Sequence, residues 1–464
     1  MSNQKKQIKR HKKTASPIDL NTDPIIPTLI RLSLPNMLVM LATTVTAMAE
    51  TAYIGLLGPS ALAGIAVVFP IVILQQSFSN GAMGGGVSSA ISRALGAKDT
   101  ARAAALAWHA LAIGLIGGLL FTGIMLVLGP ALYRLLGANG AVLEQALYYS
   151  STVFLGSVSV WLTSMLVSII RGHGNMKLPS QTLMLALIAQ ALLGGALGLG
   201  IGPFPKMGMA GVALGLALAF TGSTFFLTWF LVAGNARIPL TFSTIKWQKD
   251  LFHEILQVGL VSCISPLQTI LTVLVTTAFI GEFGREALAG YGIGARLEMI
   301  LIPIAFGIGV ACVPIVGMAI GSRNIFRARK VAAYSSLLAA LLLGMIGGIV
   351  VFFPALWSGL FTADPDITTI ANAYLIWSGS AYGFFGLGLC LLFASQGARK
   401  VLGPVLAGTV RLIVVAIGCW VLSQIQAEPR HFFMLVAAGM MIYGVFAAFS
   451  VYRTNWALPT VQPT

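Results

Sequence analysis

Four ionisable side chains lie deep within apolar stretches of this 464-residue sequence: Glu50, Arg296, Glu298 and Arg411. A charge is costly inside a bilayer, so such residues commonly mark ion or substrate pathways. Glu50 is the strongest candidate, because a buried carboxyl that binds and releases a proton is the simplest coupling device for a secondary transporter. The same carboxyl can attract a cationic substrate. The alternative for Glu50 is a structural carboxyl hydrogen-bonded to its neighbours.

The other charged groups have less specific interpretations. Arg296 and Glu298 are two residues apart on a helix and cannot face each other, so each needs a partner elsewhere. Glu298 is expected either to line a cavity or to link two helices, and Arg411 to pair with a carboxylate or act structurally. His109 has no His, Asp or Glu cluster around it, which favours packing. Glu254, near the start of its span, is expected to reach the membrane interface.

These residues must be positioned by membrane helices. The chain is 57% hydrophobic and only 9% charged, with a mean hydropathy of +0.90, whereas soluble domains carry about 25% charge. The apolar runs reach the roughly 20 residues that a helix needs to cross a bilayer, and they lack the alternation of a barrel strand. We predict an all-α polytopic membrane protein with twelve transmembrane helices. The spans are 30–57, 60–94, 103–128, 139–170, 178–202, 209–233, 251–281, 287–320, 331–361, 367–396, 401–424 and 431–452.

The formal net charge of +15 is distributed unevenly. Of the 28 basic residues, 22 lie in the N-terminal tail, at the start of span 1 or after the even-numbered spans. This asymmetry predicts that both termini are cytoplasmic, in a bacterial inner membrane. The basic stretch Lys5–Lys13 is interpreted as a topology and anionic-lipid signal rather than a nucleic-acid arm. No cleavable signal peptide is expected.

The sequence contains a duplicated half. Residues 50–64, ETAYIGLLGPSALAG, share nine of fifteen positions with residues 276–290, TTAFIGEFGREALAG, at an offset of 226. Gly96 corresponds to Gly321 at an offset of 225, and Gly174 is paired with Gly397 at an offset of 223. Each copy has six spans, so the copies share one orientation and enclose a central cleft as parallel repeats. Glu50 is replaced by Thr276 in the second copy.

The repeat divides the chain into two lobes with flanking segments. The predicted parts are a basic cytoplasmic tail (1–29), a first lobe (30–233), a cytoplasmic linker (234–250), a second lobe (251–453) and a cytoplasmic C-terminal tail (454–464). The four cysteines all fall inside spans without metal-ligand spacing, which favours a packing role over a disulfide or zinc site. We expect no metal and no cofactor.

Several stretches together resemble the multidrug and toxic compound extrusion (MATE) family. The resemblance covers nearly the whole chain beyond residue 28. It rests on RLSLPNMLVML with AETAYIGLLGPSALAG, SRALGAKD, RGHGNMKLP, IGPFPKMGMAGVALG, YGIGARLEMILIPIAFGIGVACVPIVGMAIGSRN and ASQGARKVLGPVLAGTVRLIVV. It implies a twelve-helix, two-lobe antiporter that exports amphipathic organic cations against an inward proton or sodium gradient.

The resemblance also implies roles for single residues. Glu50 falls where many members carry a cation-coupling aspartate in helix 1, and Pro35 falls where some members have a helix-bending proline. Glu298 matches an acidic residue of helix 8 in the pattern Arg-Leu-Glu.

Other positions depart from the family pattern. Leu192 and Ala196 align with polar or acidic residues of helix 5, leaving only Gln190 nearby. Gln268 aligns with a helix 7 glutamate. A hard cation such as sodium prefers about six oxygen ligands, including carboxylates. These departures therefore favour protons as the coupling ion.

We predict a secondary antiporter that exports amphipathic, cationic organic compounds in exchange for protons by alternating access. Sodium-coupled efflux, a flippase of lipid-linked substrates and a non-transporting scaffold are the alternatives. The chain shows no P-loop, and neither enzymatic activity nor nucleic-acid binding is expected. The expected partners are a small-molecule substrate, protons and the lipid bilayer, and the expected state is a monomer. Besides Glu50, the possible cavity or substrate contacts are Glu298, Gln190, Gln268 and Thr46.

Overall fold

The computed structural model describes residues 20–233 and 247–457, and no strand occurs within these ranges. The helices form twelve apolar spans, as predicted. The fourth span, α4, consists of two helical segments with a bend of 45° between them. The spans are α1 Ile25–Gly55, α2 Pro59–Gly96, α3 Thr100–Leu135, α4 Gly140–Leu155 with Ser157–Gly172, α5 Lys177–Leu199, α6 Gly208–Val232, α7 Lys249–Gly281, α8 Arg285–Gly321, α9 Ile325–Phe352, α10 Pro365–Gly397, α11 Leu402–Gln424 and α12 Pro429–Arg453.

Four predicted boundaries differ from the structure by five residues or more. α3 ends at Leu135 rather than at residue 128, and α9 begins at Ile325 rather than at residue 331. α1 begins at Ile25, directly after Pro24, rather than at residue 30. The ninth span was predicted to reach residue 361, but α9 ends at Phe352 and a separate turn covers Ala355–Ser358. Pro354 explains this break, because proline lacks an amide hydrogen and disfavours helical geometry in the residue before it. Residues 1–19 of the predicted tail and 234–246 of the predicted linker lie outside the described ranges.

The two lobes repeat their local geometry after the second span of each. Asp99 caps α3 by accepting a hydrogen bond from the backbone of Arg102, at 2.8 Å. Asn324 caps α9 in the same way, accepting from the backbone of Arg327 at 2.9 Å. The residue before each cap has a positive φ, 62° at Lys98 and 60° at Arg323. The backbone conformation of the two lobes therefore matches here at the predicted offset of 225.

A π-helical turn accounts for the change of offset from 226 to 225. Residues Ser77–Met83 of α2 form this turn, whereas the corresponding α8 is α-helical throughout. A π turn arises when one residue is inserted into an α-helix. The first lobe therefore contains one more residue than the second lobe between the two matching segments.

The third predicted offset, 223, was wrong. α4 ends at Gly172 and α10 ends at Gly397, and the positive-φ residues that follow are Gly174 and Arg399. The structural offset is again 225, so Gly174 corresponds to Arg399. Sequence identity between two glycines misled the pairing, because the position that needs a positive φ is occupied by glycine in one copy only. In the corrected register Arg171 corresponds to Gln396.

The hydrophobic cores show where the lobes meet. We call the end of the bundle where α1 and α7 begin the basic end. The loops that follow the even-numbered helices lie there too, and we call the opposite end the far end. At the far end each lobe has a separate core, around Ile54 in the first lobe and Ile280 in the second. At the basic end the cores cross between lobes, since Ile255 of α7 packs in the first-lobe core and Leu32 of α1 in the second-lobe core.

Glycines bring the lobes into backbone contact at the basic end. A Cβ on Gly86 of α2 would lie 2.8 Å from the carbonyl oxygen of Ile255 and 3.1 Å from the amide nitrogen of Gly259, both in α7. A Cβ on Gly96 would collide with the carbonyl of Met318, and one on Gly321 with the carbonyl of Arg93. We call these contacts of α2 with α7 and α8 the joint. The joint closes the cleft at the basic end.

Candidate functional site

Glu50 lies in α1, where only 5% of its surface is exposed. Within the described ranges its hydrogen-bond partner is Gln190 of α5, whose Nε2 donates to Oε1 at 2.7 Å. A single neutral amide offsets little of the cost of burying a carboxylate. The carbonyl oxygen of Gln190 is itself buried without a partner. The sequence identified both residues, and the structure brings them together.

Two tyrosines complete what we call the Glu50 pocket: Glu50, Gln190, Tyr53, Tyr149 and Thr46. Tyr53 and Tyr149 lie within electrostatic range of Glu50. The Tyr53 hydroxyl is buried without a hydrogen-bond partner, and Thr46 is buried one turn from Glu50 on the same helix. The pocket therefore contains one acid and several neutral polar groups.

The alignment of α5 with the family stays a prediction, but the structure shows which residues lie against the Glu50 pocket. Leu192 is 68% exposed and points away from it. Gly194 and Gly195 lie against Tyr53, where a Cβ would lie 3.1 Å from the hydroxyl oxygen and 3.6 Å from the ring, respectively. The lack of a Cβ at Gly194 therefore lets Tyr53 pack close to the α5 backbone.

Glu298 of α8 has a different environment in the second lobe. It accepts a short hydrogen bond from the hydroxyl of Tyr374. It also interacts electrostatically with Arg411 of α11, although no ion pair joins them within 4.0 Å in the described ranges. Tyr291 packs edge-on against Tyr374, with 5.1 Å between ring centroids. We call these four residues the Glu298 cluster.

The two deep arginines are placed differently. Arg296 is exposed and lies over the ring of Phe361, 5.4 Å from its centroid. Arg411 is buried, lies over Phe385 at 5.2 Å and leaves its Nε without a hydrogen-bond partner. Arg296 and Glu298 do not pair, as their spacing predicts, whereas Arg411 is the cation near Glu298.

Gln268 of α7 bonds to the neighbouring helix. Its Nε2 donates to the hydroxyl of Thr409 at 2.7 Å and to the carbonyl of Val405 at 3.2 Å, both in α11. Thr276, the repeat equivalent of Glu50, donates to the carbonyl of Thr272 at 2.9 Å. At these two positions the second lobe has neutral side chains with hydrogen-bond partners.

Pro35 lies within α1, which is a single helix from Ile25 to Gly55. Proline lacks the amide hydrogen that would bond one turn back, so it weakens the helix at this point. The neighbouring Asn36 donates to the carbonyl of Leu32 at 3.1 Å. Bending at Pro35 stays a prediction.

An ion-pair network at the joint was missed by the sequence analysis. Glu254 was expected at the membrane interface, but it is buried between Arg93, at 3.0 Å, and Arg102, at 2.6 Å. Arg93 lies inside α2, within the predicted span 60–94, and also donates to the carbonyl of Gly397 at 3.2 Å. The sequence does place one acid, Glu254, at the end of the bundle where basic residues recur. Only the tertiary structure shows which of those residues pair with it.

His109 and the four cysteines pack against neighbouring parts of the helix bundle. The Nε2 of His109 accepts a hydrogen bond from the backbone of Gln248 at 3.0 Å, and its ring packs edge-on against Phe252. Cys263, Cys312, Cys390 and Cys419 are free thiols within helices, and all but Cys263 are buried.

Comparison with known proteins decides the family. The MatE family model matches the chain twice, at residues 35–195 and 262–421. The chain belongs to the MATE family of efflux transporters. Each match falls within one lobe. MATE proteins are transporters and not enzymes.

Curated MATE relatives cover most of the chain. The FAD transporter of Shewanella oneidensis is 25% identical over 84% of this chain and 86% of its own length. The probable multidrug resistance protein NorM of Thermotoga maritima is 25% identical over 84% and 82%, respectively. The multidrug export protein MepA of Staphylococcus aureus is 24% identical over 85% and 87%.

Solved structures confirm the MATE fold. A MOP superfamily transporter from Pyrococcus furiosus, described as having a binding pocket of reverse polarity, superposes with a TM-score of 0.86 at 23% identity, over 94% of this chain and 96% of that chain. The outward-facing conformation of a multidrug resistance MATE transporter gives a TM-score of 0.85 at 23% identity, with the same coverage.

Proposed function

We propose that this MATE protein exports amphipathic organic compounds in exchange for protons, with Glu50 as the proton carrier. The observation that carries the proposal is the burial of Glu50 against a single neutral partner, Gln190. A buried acid without a fixed cation has no charge partner that would hold it ionised. The amphipathic and cationic character of the substrate remains part of the proposal.

The Gln190 amide suits both protonation states of Glu50. Its NH₂ group donates to Oε1 of Glu50, an arrangement that suits the ionised carboxylate. Its carbonyl oxygen, which has no partner in this arrangement, accepts the O–H of a protonated carboxyl after the amide rotates. Glu50 therefore keeps a hydrogen bond to Gln190 in both protonation states.

Alternating access is proposed to work through the joint. The lobes touch at the basic end through Gly86, Gly96 and Gly321, while each keeps a separate core at the far end. Opening the cleft at the basic end requires Glu254 of α7 to separate from both Arg93 of α2 and Arg102 of α3. We propose that the basic end is cytoplasmic, so that the described conformation faces outward.

Protons are favoured over sodium by the donors around Glu50. The charged or polar groups that interact with it in the described ranges are Gln190, Tyr53 and Tyr149, and no second carboxyl is among them. Sodium prefers about six oxygen ligands with carboxylates among them. Gln268, the aligned second-lobe position, has its amide committed to α11. Sodium-coupled efflux is therefore the weaker alternative.

A flippase of pyrophosphate-linked lipids is the other alternative. Such a site needs several cations lining one cavity. Arg296 is exposed over Phe361, and Arg411 is buried within range of Glu298. The two deep arginines that the alternative relies on do not form such a cavity. We also propose that the protein is a monomer in a bacterial inner membrane.

The test is reconstitution into liposomes with one imposed gradient at a time. Ethidium export is measured under a proton gradient or a sodium gradient for wild type, Glu50→Gln and Glu50→Asp. We expect the proton gradient alone to drive wild type and Glu50→Asp, and neither gradient to drive Glu50→Gln. Equal proton-driven export by wild type and Glu50→Gln would show that Glu50 is not the carrier. Export driven only by sodium would favour the first alternative.

A further inference from the structure

Arg171 is a buried cation that the transport cycle described above does not use. It lies at the end of α4, with 2% of its surface exposed. Its Nη1 donates to Oδ1 of Asn80 at 2.8 Å and its Nη2 to Oδ1 of Asn36 at 3.3 Å. Its Nε is buried without any hydrogen-bond partner. All of its bonded partners are neutral amides.

The other two buried arginines have acidic neighbours. Arg93 forms an ion pair with Glu254, and Arg411 lies within electrostatic range of Glu298. Within the described ranges, Arg171 has no acidic group in interaction range, so no opposite charge offsets the cost of its burial. Burying a charge costs several kcal/mol even after relaxation, and neutral dipoles repay this only in part. An uncompensated guanidinium of this kind is suited to an anionic partner.

The surroundings of Arg171 provide space for such a partner. A cavity of about 10 Å³ separates Asn80 and Arg171 of the first lobe from Phe393 of the second. Its lining also includes Gly84 and Gly85, where added Cβ atoms would collide with Ser168 and Gln396, respectively. In this conformation the cavity has room for about one water molecule.

The repeat shows that the positive charge is specific to one lobe. Gln396 occupies the position that corresponds to Arg171, and it also reaches α2, donating to the carbonyl of Gly81 at 3.5 Å. A neutral amide thus occupies this position in the second lobe, where it contacts α2 of the first lobe. Asn80 lies in the π turn Ser77–Met83, and π turns are frequent at functional sites. A structural link alone does not require the charge at Arg171.

We propose that Arg171, Asn80 and Asn36 form a subsite for the oxyanion head group, carboxylate or phosphate, of an amphipathic export substrate. The proposal rests on the efflux function above and extends the substrate class beyond cations. A guanidinium binds such oxyanions with directional hydrogen bonds. The cavity lies between the lobes rather than at the lipid-facing surface, so the substrate is a soluble organic anion.

The position of the subsite gives it a role in the cycle. When the lobes part at the basic end, the cavity opens and Arg171 becomes accessible from the side where substrate is collected. When the joint closes, the cavity shrinks to about 10 Å³, which is too small for a carboxylate or phosphate group. Closure therefore expels the head group toward the far end.

The test compares two dyes in the same proteoliposomes under a proton gradient. Carboxyfluorescein carries carboxylates, and ethidium is a cation. We expect Arg171→Gln to reduce carboxyfluorescein export by about tenfold, equivalent to roughly 1.4 kcal/mol, with ethidium export unchanged or higher. Arg171→Lys should retain part of the anion export. Gln396→Leu, at the matched position of the other lobe, should leave the ratio of the two rates unchanged.

Asn80→Asp provides a second route if Arg171→Gln does not fold. It places a carboxylate beside Arg171 without removing the arginine, and we expect the same selective loss of carboxyfluorescein export. The proposal is overturned if wild type exports ethidium but not carboxyfluorescein, or if the ratio of rates is the same in wild type and Asn80→Asp. Failure of wild type to export either dye would instead count against the efflux function itself.

Discussion

Glu50 is a buried acid of the first lobe and Glu298 a half-buried acid of the second, and their partners differ. Glu50 has a neutral amide, Gln190, and an unpartnered tyrosine hydroxyl nearby. Glu298 has a tyrosine that donates to it and a buried cation, Arg411, within electrostatic range. A nearby cation stabilises an ionised carboxylate, whereas a neutral amide tolerates both protonation states. Partner type therefore distinguishes the proposed proton carrier, Glu50, from Glu298.

The largest expected effect comes from neutralising each acid in turn. Glu50→Gln should lower proton-driven ethidium export by at least about tenfold, and Glu298→Gln by less than about threefold. The reason is that only Glu50 is proposed to carry the proton. Initial export rates in proteoliposomes, normalised to reconstituted protein, measure both.

The pH dependence of export provides the control for this comparison. Glu298→Gln should keep the wild-type dependence of rate on internal and external pH, and Glu50→Gln should lose it. If the two variants lose export equally, the distinction between the two acids is wrong.

A second comparison concerns the cation near Glu298. Arg411→Gln should destabilise the protein by about 2 kcal/mol, because it leaves Glu298 without its cation. Thermal unfolding in detergent measures the loss, with Arg296→Gln as the exposed control.

The double variant Glu298→Gln/Arg411→Gln should recover at least half of that stability, because neither charge is then left alone. Additive losses in the double variant would mean that Glu298 and Arg411 do not interact.

Substitutions of Gln190 test whether the partner of Glu50 determines the coupling ion. Gln190→Leu should reduce proton-driven export by about threefold, because it removes the partner of Glu50 in both states. Gln190→Glu adds a second carboxylate, and we expect sodium-driven ethidium export to appear. Export under a sodium gradient measures the gain. An unaltered ion preference in Gln190→Glu would argue against the donor set as the cause of proton selectivity.

The smallest expected effect is at Gln268. Gln268→Ala removes both hydrogen bonds to α11 and should cost about 1–2 kcal/mol of stability, with export within about twofold of wild type. Thr409→Val removes one of the same bonds and should cost about half as much. Thermal unfolding and ethidium export are measured together. A selective loss of export at unchanged stability would make Gln268 a substrate contact instead.

The sequence alone predicted the parts of the fold that depend on local pattern. Twelve spans, parallel repeats and Glu50 follow from hydropathy, internal identity and a charge inside an apolar run. It did not predict that Arg93 and Glu254 pair, because their contact joins helices far apart in the chain. The predicted fourth span stops at residue 170 and leaves Arg171 outside α4, because helix ends depend on tertiary packing as well as composition. The misassigned offset after α4 arose because glycine marks a positive φ in only one of the two copies.

The π turn in α2 has a consequence for the history of the two halves. The wider π turn takes up the inserted residue locally, so the helix beyond it keeps its faces. Gly96 and Gly321, which lie beyond this point at an offset of 225, still make matching contacts with the carbonyls of Met318 and Arg93, respectively. Positions on both sides of the turn therefore stay equivalent between the copies. The turn itself, which contains Asn80, is where the first half acquired a position that has no counterpart in the second.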